Sequence, residues 1–575
     1  MIRMKWLFGT VAAAIVIYTL IAGSMFRAQT LKRDSLWFDE IVTLELAQSD
    51  WTSLFPGILE RDSHPPLFLL LAKPWVAVFG ASDQGGRSLS AVIGVASLAA
   101  MFWLGWIAGG YGAAIASVVL TAFHHFALFY SSEFRSYILF FLLTALSLCF
   151  FLRMLRLPKC RKVHWIGLVL SNSFLLLTHY FAILLVAFEC FAFLSMASSL
   201  SLAKRRNWWT SQAVTLVMFS FWMPGLAYHA LHLKQSHLLG AVKLPDLLSR
   251  LSPVGGSLAT PGGPAYAGYI AFLFLALWVL SFPAFKRWKG GNSEPRAGLV
   301  AVIRENSGLF KRLGVLYLAG SALIFLSRPL YGDLKAIPTP LGTLVLEGFL
   351  VFSWVYVFLV GMALMNLIRP EGGLTSQRKA ERLQGLVLAW FPVFLLFAVE
   401  IACKAFRPVY EPRNVILILP FMVTGVALVL ARVRPKGLWL AVMVVLLVGL
   451  RSQLPYAQFF RTRFGYRGVA SEIKGELEKF KDRPGIVTMS PEAATAMRYY
   501  MKEFDRTECL AGCENVKGRK QVLWVWHTFN LASESTLKPF FFASLENGKT
   551  LWATAHQGIA AAWVEYPAGF GPATP

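Results

Sequence analysis

Hydrophobic positions along the chain fall into repeated blocks separated by short charged stretches. The blocks are close to the length, about 18 to 25 residues, that a helix needs to cross roughly 30 Å of hydrocarbon. Those near residues 6–26, 87–109, 112–130, 136–156, 164–179, 180–200, 208–230, 267–285, 313–330, 345–367, 385–403, 414–431 and 437–452 predict about thirteen transmembrane helices. A further apolar run, 65–80, is only 16 residues long and carries Pro65, Pro66 and Pro74, so it reads as an interfacial or re-entrant helix. Past residue 452 the pattern changes. Strand-like runs at 485–489 and 521–526 alternate with helical stretches at 469–480 and 491–504. The predicted fold class is therefore an all-α polytopic membrane domain over residues 1–452, with a small C-terminal α/β extramembrane domain over 453–575.

Composition agrees with the pattern. Of 575 residues, 56% are hydrophobic and 15% charged, which excludes a purely soluble chain. The net charge of +24 does not call for nucleic acid, because its sources sit in alternate loops. With the N-terminus inside and 65–80 not crossing, the cytoplasmic stretches hold 24 basic residues, from Arg3 and Lys5 to Arg432, Arg434 and Lys436, against four acidic ones, Glu294, Glu305, Glu371 and Glu381. The positive-inside rule prefers this arrangement, and attraction to anionic membrane lipids accounts for the excess. Residues 1–27 lack a convincing small-residue cleavage site and read as an uncleaved first helix. Odd parity then puts the C-terminus outside. No asparagine sits in an Asn-x-Ser/Thr sequon, so the expected setting is a bacterial inner membrane with a periplasmic active site. Six cysteines form no CxxC pair, and in an exported domain Cys509 and Cys513 are expected to be joined.

Two external loops, 28–86 and 231–266, exceed what a connector needs. The first contains Asp34-Ser-Leu-Trp-Phe-Asp39-Glu40, then Glu60-Arg-Asp-Ser-His64-Pro-Pro-Leu, then Gln84-Gly-Gly-Arg87. Adjacent carboxylates behind two aromatic rings at a membrane surface suit general-base work, since burial and neighbouring charge drive their pKa values apart. Asp39 and Glu40 equally suit the start of a helix, stabilised by its positive end. Trp51, Phe55, Phe68 and Trp75 could line a lipid groove or form an ordinary interfacial aromatic belt. Glu189 and Glu400 are acids within predicted spans to which the sequence assigns no role.

Trp37-Phe-Asp39-Glu40 in the first outer loop, His64-Pro-Pro-Leu67 after it and Arg87 at the start of the next helix resemble the GT-C glycosyltransferases of the protein O-mannosyltransferase and lipid A aminoarabinose transferase group. The order continues. Ser132-Glu133-Phe134-Arg135-Ser136-Tyr137 resembles that group's E-x-R-x-Y signature, Thr178-His179-Tyr180 its outward T-H-Y turn, and Tyr410-Glu-Pro-Arg413-Asn414 its late outward arginine. The resemblance covers roughly residues 1–450. It implies a sugar carried on polyprenyl phosphate, transfer on the outer face, Asp39 as the base with Glu40 beside it, and His64, Arg87, Glu133, Arg135, Tyr137, His179, Tyr410 and Arg413 around the donor. The chain lacks the β-trefoil insertion of the eukaryotic enzymes and has His64-Pro65 where the aminoarabinose enzymes carry lysine, which leaves the acceptor open among lipid, glycan and protein.

Chemistry supports the same residue types. Glycosyl transfer from a lipid phosphate passes through an oxocarbenium-like state and releases a dianionic phosphate, so a carboxylate near the acceptor and fixed cations at the leaving group are needed. Arg87, Arg135 and Arg413 are the candidate phosphate ligands, because a guanidinium fork matches phosphate oxygens. Each could instead anchor a helix end at the headgroups. A single essential carboxylate favours inversion. No cofactor is certain. The histidines with Asp39 or Glu133 leave a divalent metal open, although no two ligands sit at i and i+4 on one helix. The alternative function is a transporter or flippase of lipid-linked sugars, which predicts inverted repeats and charged groups at the bilayer midplane rather than in outer loops.

Overall fold

The computed structural model describes residues 2–31, 35–157, 160–194, 200–232, most of 412–453, 465–477, 485–488, 491–501, 521–527, 548–556 and 559–567, with a few residues between 388 and 395. The predicted spans near 267–285, 313–330 and 345–367, nearly all of 385–403, the loop 231–266 beyond residue 232, and Asp34, Glu400, Tyr410, Cys509 and Cys513 lie outside these residues.

The first apolar block forms α1 (Ile2–Thr30), of which Gly9–Thr30 is long and apolar enough to cross a membrane. Three short helices fill the first loop: α2 (Phe38–Gln48), α3 (Trp51–Arg61) and α4 (Leu67–Phe79). At 13 residues, α4 falls short of the roughly 20 that a span requires. It stops at Gly80, whose φ of 86° lies in the left-handed region where glycine carries no Cβ penalty. Ser82 then caps α5 (Asp83–Gly109), its Oγ accepting from the Gly85 N–H at 3.0 Å. A tight reversal at Gly110, φ 77°, leads into α6 (Tyr111–Ala122). Close approach of the two helices depends on Gly105, where a Cβ would lie 2.6 Å from the Ala113 carbonyl oxygen.

The predicted spans 112–130 and 208–230 are broken rather than straight. α7 (His125–Ser131) leaves α6 at 62°, and the His124 ring Nδ1 takes the Phe126 N–H at 3.2 Å in place of a helical carbonyl. α11 (Leu202–Ser220) and α12 (Met223–His232) meet at 60°. Pro224, in the first turn of α12, has no N–H to continue the ladder and its ring excludes the preceding turn. Between them run α8 (Tyr137–Arg156), α9 (Lys162–Leu176) and α10 (Ala182–Leu194). A 3₁₀ segment, Pro412–Ile418, opens α13 (Leu419–Leu430), followed by α14 (Lys436–Gln453).

Among the described residues three helices are long and apolar enough to cross a membrane, and each bent pair adds one if counted as a single span. α6 and α8 are buried along most of their length. Ile17, Ile21 and Met25 on α1 and Val445 and Val448 on α14, one helical turn apart, are exposed, as a lipid-facing stripe would be. Deep in the bundle, Glu189 on α10 meets Ser147 and Asn172, and all three are fully buried. Ser147 Oγ lies 2.5 Å from Asn172 Oδ1 and 2.7 Å from Glu189 Oε1, while Asn172 Nδ2 donates to Glu189 Oε2 at 2.7 Å. These polar atoms satisfy one another and tie three helices together.

The C-terminal elements are α15 (Tyr466–Leu477), β1 (Gly485–Thr488), α16 (Pro491–Tyr500), β2 (Gln521–His527), β3 (Lys549–His556) and β4 (Ile559–Glu565). The predicted strand runs 485–489 and 521–526 are β1 and β2, which pair in parallel across α16, whereas β3 and β4 were not foreseen. Strand order is β1-β2-β4-β3, with β4 antiparallel to both neighbours. Trp524 and Trp563 are buried here, and Trp524 Nε1 donates to the Tyr566 hydroxyl at 3.0 Å. α15 buries Tyr466, Val469, Ala470, Ile473 and Leu477, the i, i+3, i+4, i+7 stripe of an amphipathic helix.

Candidate active site

Trp37, extended at φ −100° and ψ 175°, precedes the first turn of α2, so Asp39 and Glu40 stand where the positive end of the helix favours carboxylates. Their side chains part company. Glu40 reaches back to the Trp37 N–H at 3.4 Å and is fully buried. Arg87 grips it with both prongs, Nε to Oε1 at 2.7 Å and Nη2 to Oε2 at 2.5 Å, and neither side chain has exposed surface. Glu40 Oε1 also accepts the Phe134 N–H at 2.8 Å, and Arg87 donates to the Ser35 carbonyl at 2.8 Å. This pair therefore joins α2, α5 and the turn before α8 inside the protein.

A second buried pair lies beside it. Arg135, on the turn between α7 and α8, donates to both oxygens of Asp62 at 2.8 and 3.0 Å, and to Thr43 Oγ1 at 2.7 Å. Asp62 Oδ1 also accepts the Ser63 and His64 N–H groups and lies 2.8 Å from His64 Nδ1. Burial alone would raise the Asp62 carboxyl, but the Arg135 charge and the His64 hydrogen bond hold it well below the usual carboxylate range. Burial holds His64 below the usual imidazole value against the opposing pull of Asp62. His179 is buried beside His64. Its Nδ1 accepts from the Phe181 N–H at 3.2 Å, which leaves Nε2 as the donor to Asn414 Oδ1 at 3.3 Å. His179 stacks on Phe140 at 4.7 Å and meets His64 at 5.1 Å between ring centres.

Asp39 faces another way. Its Oδ2 accepts from Arg413 Nη1 at 2.8 Å, across 374 residues of chain. The Arg413 guanidinium lies over Trp37 at 5.3 Å and over Tyr137 at 5.6 Å. Trp37 Nε1 donates to Glu133 Oε1 at 3.1 Å, so the ring under Arg413 is itself pinned. Among the described residues of this cluster, Asp39 with Arg413 is more open, at 21% and 22% side-chain exposure, than the two other arginine pairs, whose partners are all at 6% or less.

The structure thus gathers Asp39, Glu40, His64, Arg87, Glu133, Arg135, Tyr137, His179 and Arg413 into one connected network, and Tyr410 lies outside the described residues. Sequence reasoning passed over Asp62, although an acid two residues before His64 is placed to bond its ring. It also passed over Thr43, one turn after Asp39, and Trp37 as a cation platform. Among the described residues no three His, Cys, Asp or Glu side chains converge as a metal cradle.

The chain is similar in structure to ArnT from Cupriavidus metallidurans, at 12% identity and TM-score 0.40 in the apo state and at 13% and 0.37 bound to undecaprenyl phosphate, each match covering 98% of both chains. It is also similar to the oligosaccharyltransferase AglB of Archaeoglobus fulgidus in complex with an inhibitory peptide and a dolichol-phosphate, at 11% identity and TM-score 0.41, covering 89% of this chain and 69% of that one. No protein-family profile and no curated sequence matches the chain.

Proposed function

We propose that the chain is an integral-membrane inverting glycosyltransferase that moves a single sugar from a polyprenyl-phosphate donor to a hydroxyl of a lipid, glycan or protein acceptor. The working face is the outer one, periplasmic in a bacterial inner membrane, with about thirteen spans over 1–452 and the α/β domain of 453–575 on the same side. The observation that carries this reading is the Asp39–Arg413 pair, a carboxylate and a guanidinium 2.8 Å apart and partly open beside two buried ion pairs. The motif order that resembles GT-C enzymes supports the same assignment.

Direct displacement needs both members. The acceptor oxygen attacks the anomeric carbon as its proton passes to Asp39, and the bond from that carbon to the phosphate oxygen breaks. The departing phosphate gains charge, which Arg413 can meet with its planar fork. In the free protein Arg413 is engaged with Asp39. A donor phosphate competes for the guanidinium and leaves the carboxylate to the acceptor. Glu40 with Arg87 and Asp62 with Arg135 are already paired and buried, so we assign them to holding α2 and the loop before His64 in place.

The reading is tested by incubating purified full-length protein with a panel of labelled undecaprenyl-phosphate sugars and acceptor extracts. Release of undecaprenyl phosphate is the expected result. A transporter or flippase would leave that bond intact. Arg413→Lys is expected to raise the KM for the donor about tenfold, because lysine offers a point charge without the bidentate fork. Steady-state kinetics on the responsive donor measures it, and an unchanged KM would move the phosphate contact elsewhere.

A further inference from the structure

The C-terminal helices reach back to the segment that leads into α2. The Arg467 N–H, at the start of α15, donates to Ser35 Oγ at 2.8 Å. The Leu36 N–H donates to the Tyr500 hydroxyl oxygen at 2.5 Å, and that hydroxyl donates to Asp83 Oδ2 at 2.8 Å. Arg467 also pairs with Asp83, and its guanidinium lies 5.9 Å over the Tyr500 ring. Asp83 is the first residue of α5, four before Arg87, which holds the Ser35 carbonyl. α16 packs directly on α2.

Among the described residues Ser35–Trp37 belongs to no helix or sheet, and these bonds hold it. Two of them come from residues more than 400 positions away in sequence. The segment matters because Trp37, its last residue, underlies Arg413, bonds Glu133 and starts the helical turn bearing Asp39. A shift of about 1 Å in such a segment is enough to cost on the order of a hundredfold in rate when it displaces a reacting group.

We infer that Tyr500 and Arg467 are positioning residues for the transfer reaction: the C-terminal helices clamp the Ser35–Trp37 segment against α5 and thereby fix Asp39. This rests on the reading of Asp39 as the base given above. Tyr500 is the centre of the clamp, since one hydroxyl accepts the Leu36 N–H and donates to the first residue of α5. Phenylalanine keeps the ring and its stacking on Arg467 but loses both bonds.

The test compares full-length wild-type protein with Y500F, reconstituted alike. Hydrogen exchange at the Leu36 amide is expected to accelerate at least tenfold in Y500F, and kcat for undecaprenyl phosphate release to fall by about tenfold with donor KM little changed. Combining Y500F with D39N should cost no more than D39N alone, because misplacing an absent base has no further effect. R467A, with recovery in R467K, reads the same clamp should Y500F fail to fold. Unchanged Leu36 exchange overturns the clamp, and faster exchange at a wild-type kcat overturns the positioning role. If wild-type protein releases nothing from any donor, the transferase reading falls and the positioning role with it, whereas the exchange comparison still decides whether the clamp exists.

Discussion

Asp39→Asn is expected to lower the rate of sugar transfer by on the order of 10² to 10⁴ while the protein stays folded, the usual cost of removing a general base. An acceptor hydroxyl is a poor nucleophile at neutral pH, so its proton must leave as the bond to the anomeric carbon forms. Asparagine keeps the size of Asp39 and leaves intact the main-chain bond by which the Asp39 carbonyl takes the Thr43 hydroxyl at 2.8 Å. What disappears is the basicity and the ion pair with Arg413. Relieved of that pair, Arg413 is freer to meet a phosphate, so binding of undecaprenyl phosphate should be retained or improved. A rate loss with unweakened lipid binding is therefore the signature to look for, read from single-turnover release alongside a direct binding assay. A wild-type rate from folded Asp39→Asn would make Asp39 a helix-start residue, and the base would have to be sought at Glu40 or Glu133.

Much of this network was legible in the sequence for a physical reason: residues that do chemistry at a membrane surface cannot hide among apolar neighbours. Trp37 to Glu40, His64, Arg87, Glu133 to Tyr137 and His179 stand out as polar interruptions between long hydrophobic runs. Partnerships were not legible, because they join residues far apart in the chain. Nothing local distinguishes Arg87, fully buried on Glu40, from Arg413, partly open on Asp39, although the two environments suit opposite roles. Asp62 was overlooked because its partner Arg135 lies 73 residues away. Helix breaks were hidden for a related reason. The runs 112–130 and 208–230 are apolar on average, and mean hydropathy does not register a histidine that caps or a proline that follows a turn. Strand β4 escaped notice because Ile559–Glu565 holds three alanines in a row, which carry little strand preference, and it is pairing on both sides that makes it a strand.

Arg87→Ala is expected to act on stability more than on chemistry, which separates the structure from the role that the family resemblance implies for this arginine. Arg87 and Glu40 have no exposed surface, so removing the guanidinium takes the Arg87 charge away from a carboxylate in the interior. Breaking such a pair typically costs about 3 to 5 kcal/mol. Glu40→Gln attacks the same pair from the other side, since an amide N–H must then face a guanidinium or one of the Trp37 and Phe134 N–H groups that the carboxylate now accepts. Replacing both partners, as in E40L with R87M, should recover part of the loss by removing both charges. Recovery stays incomplete, because the Trp37 and Phe134 N–H groups and the Ser35 carbonyl each lose a buried partner, at about 1 to 3 kcal/mol apiece. Reversible unfolding in mixed detergent micelles measures the order: wild type, then the double replacement, then either single one. A folded Arg87→Ala protein of wild-type stability that has lost only its affinity for undecaprenyl phosphate would instead make Arg87 a ligand of the donor, and Glu40 would then have to part from it when the donor binds.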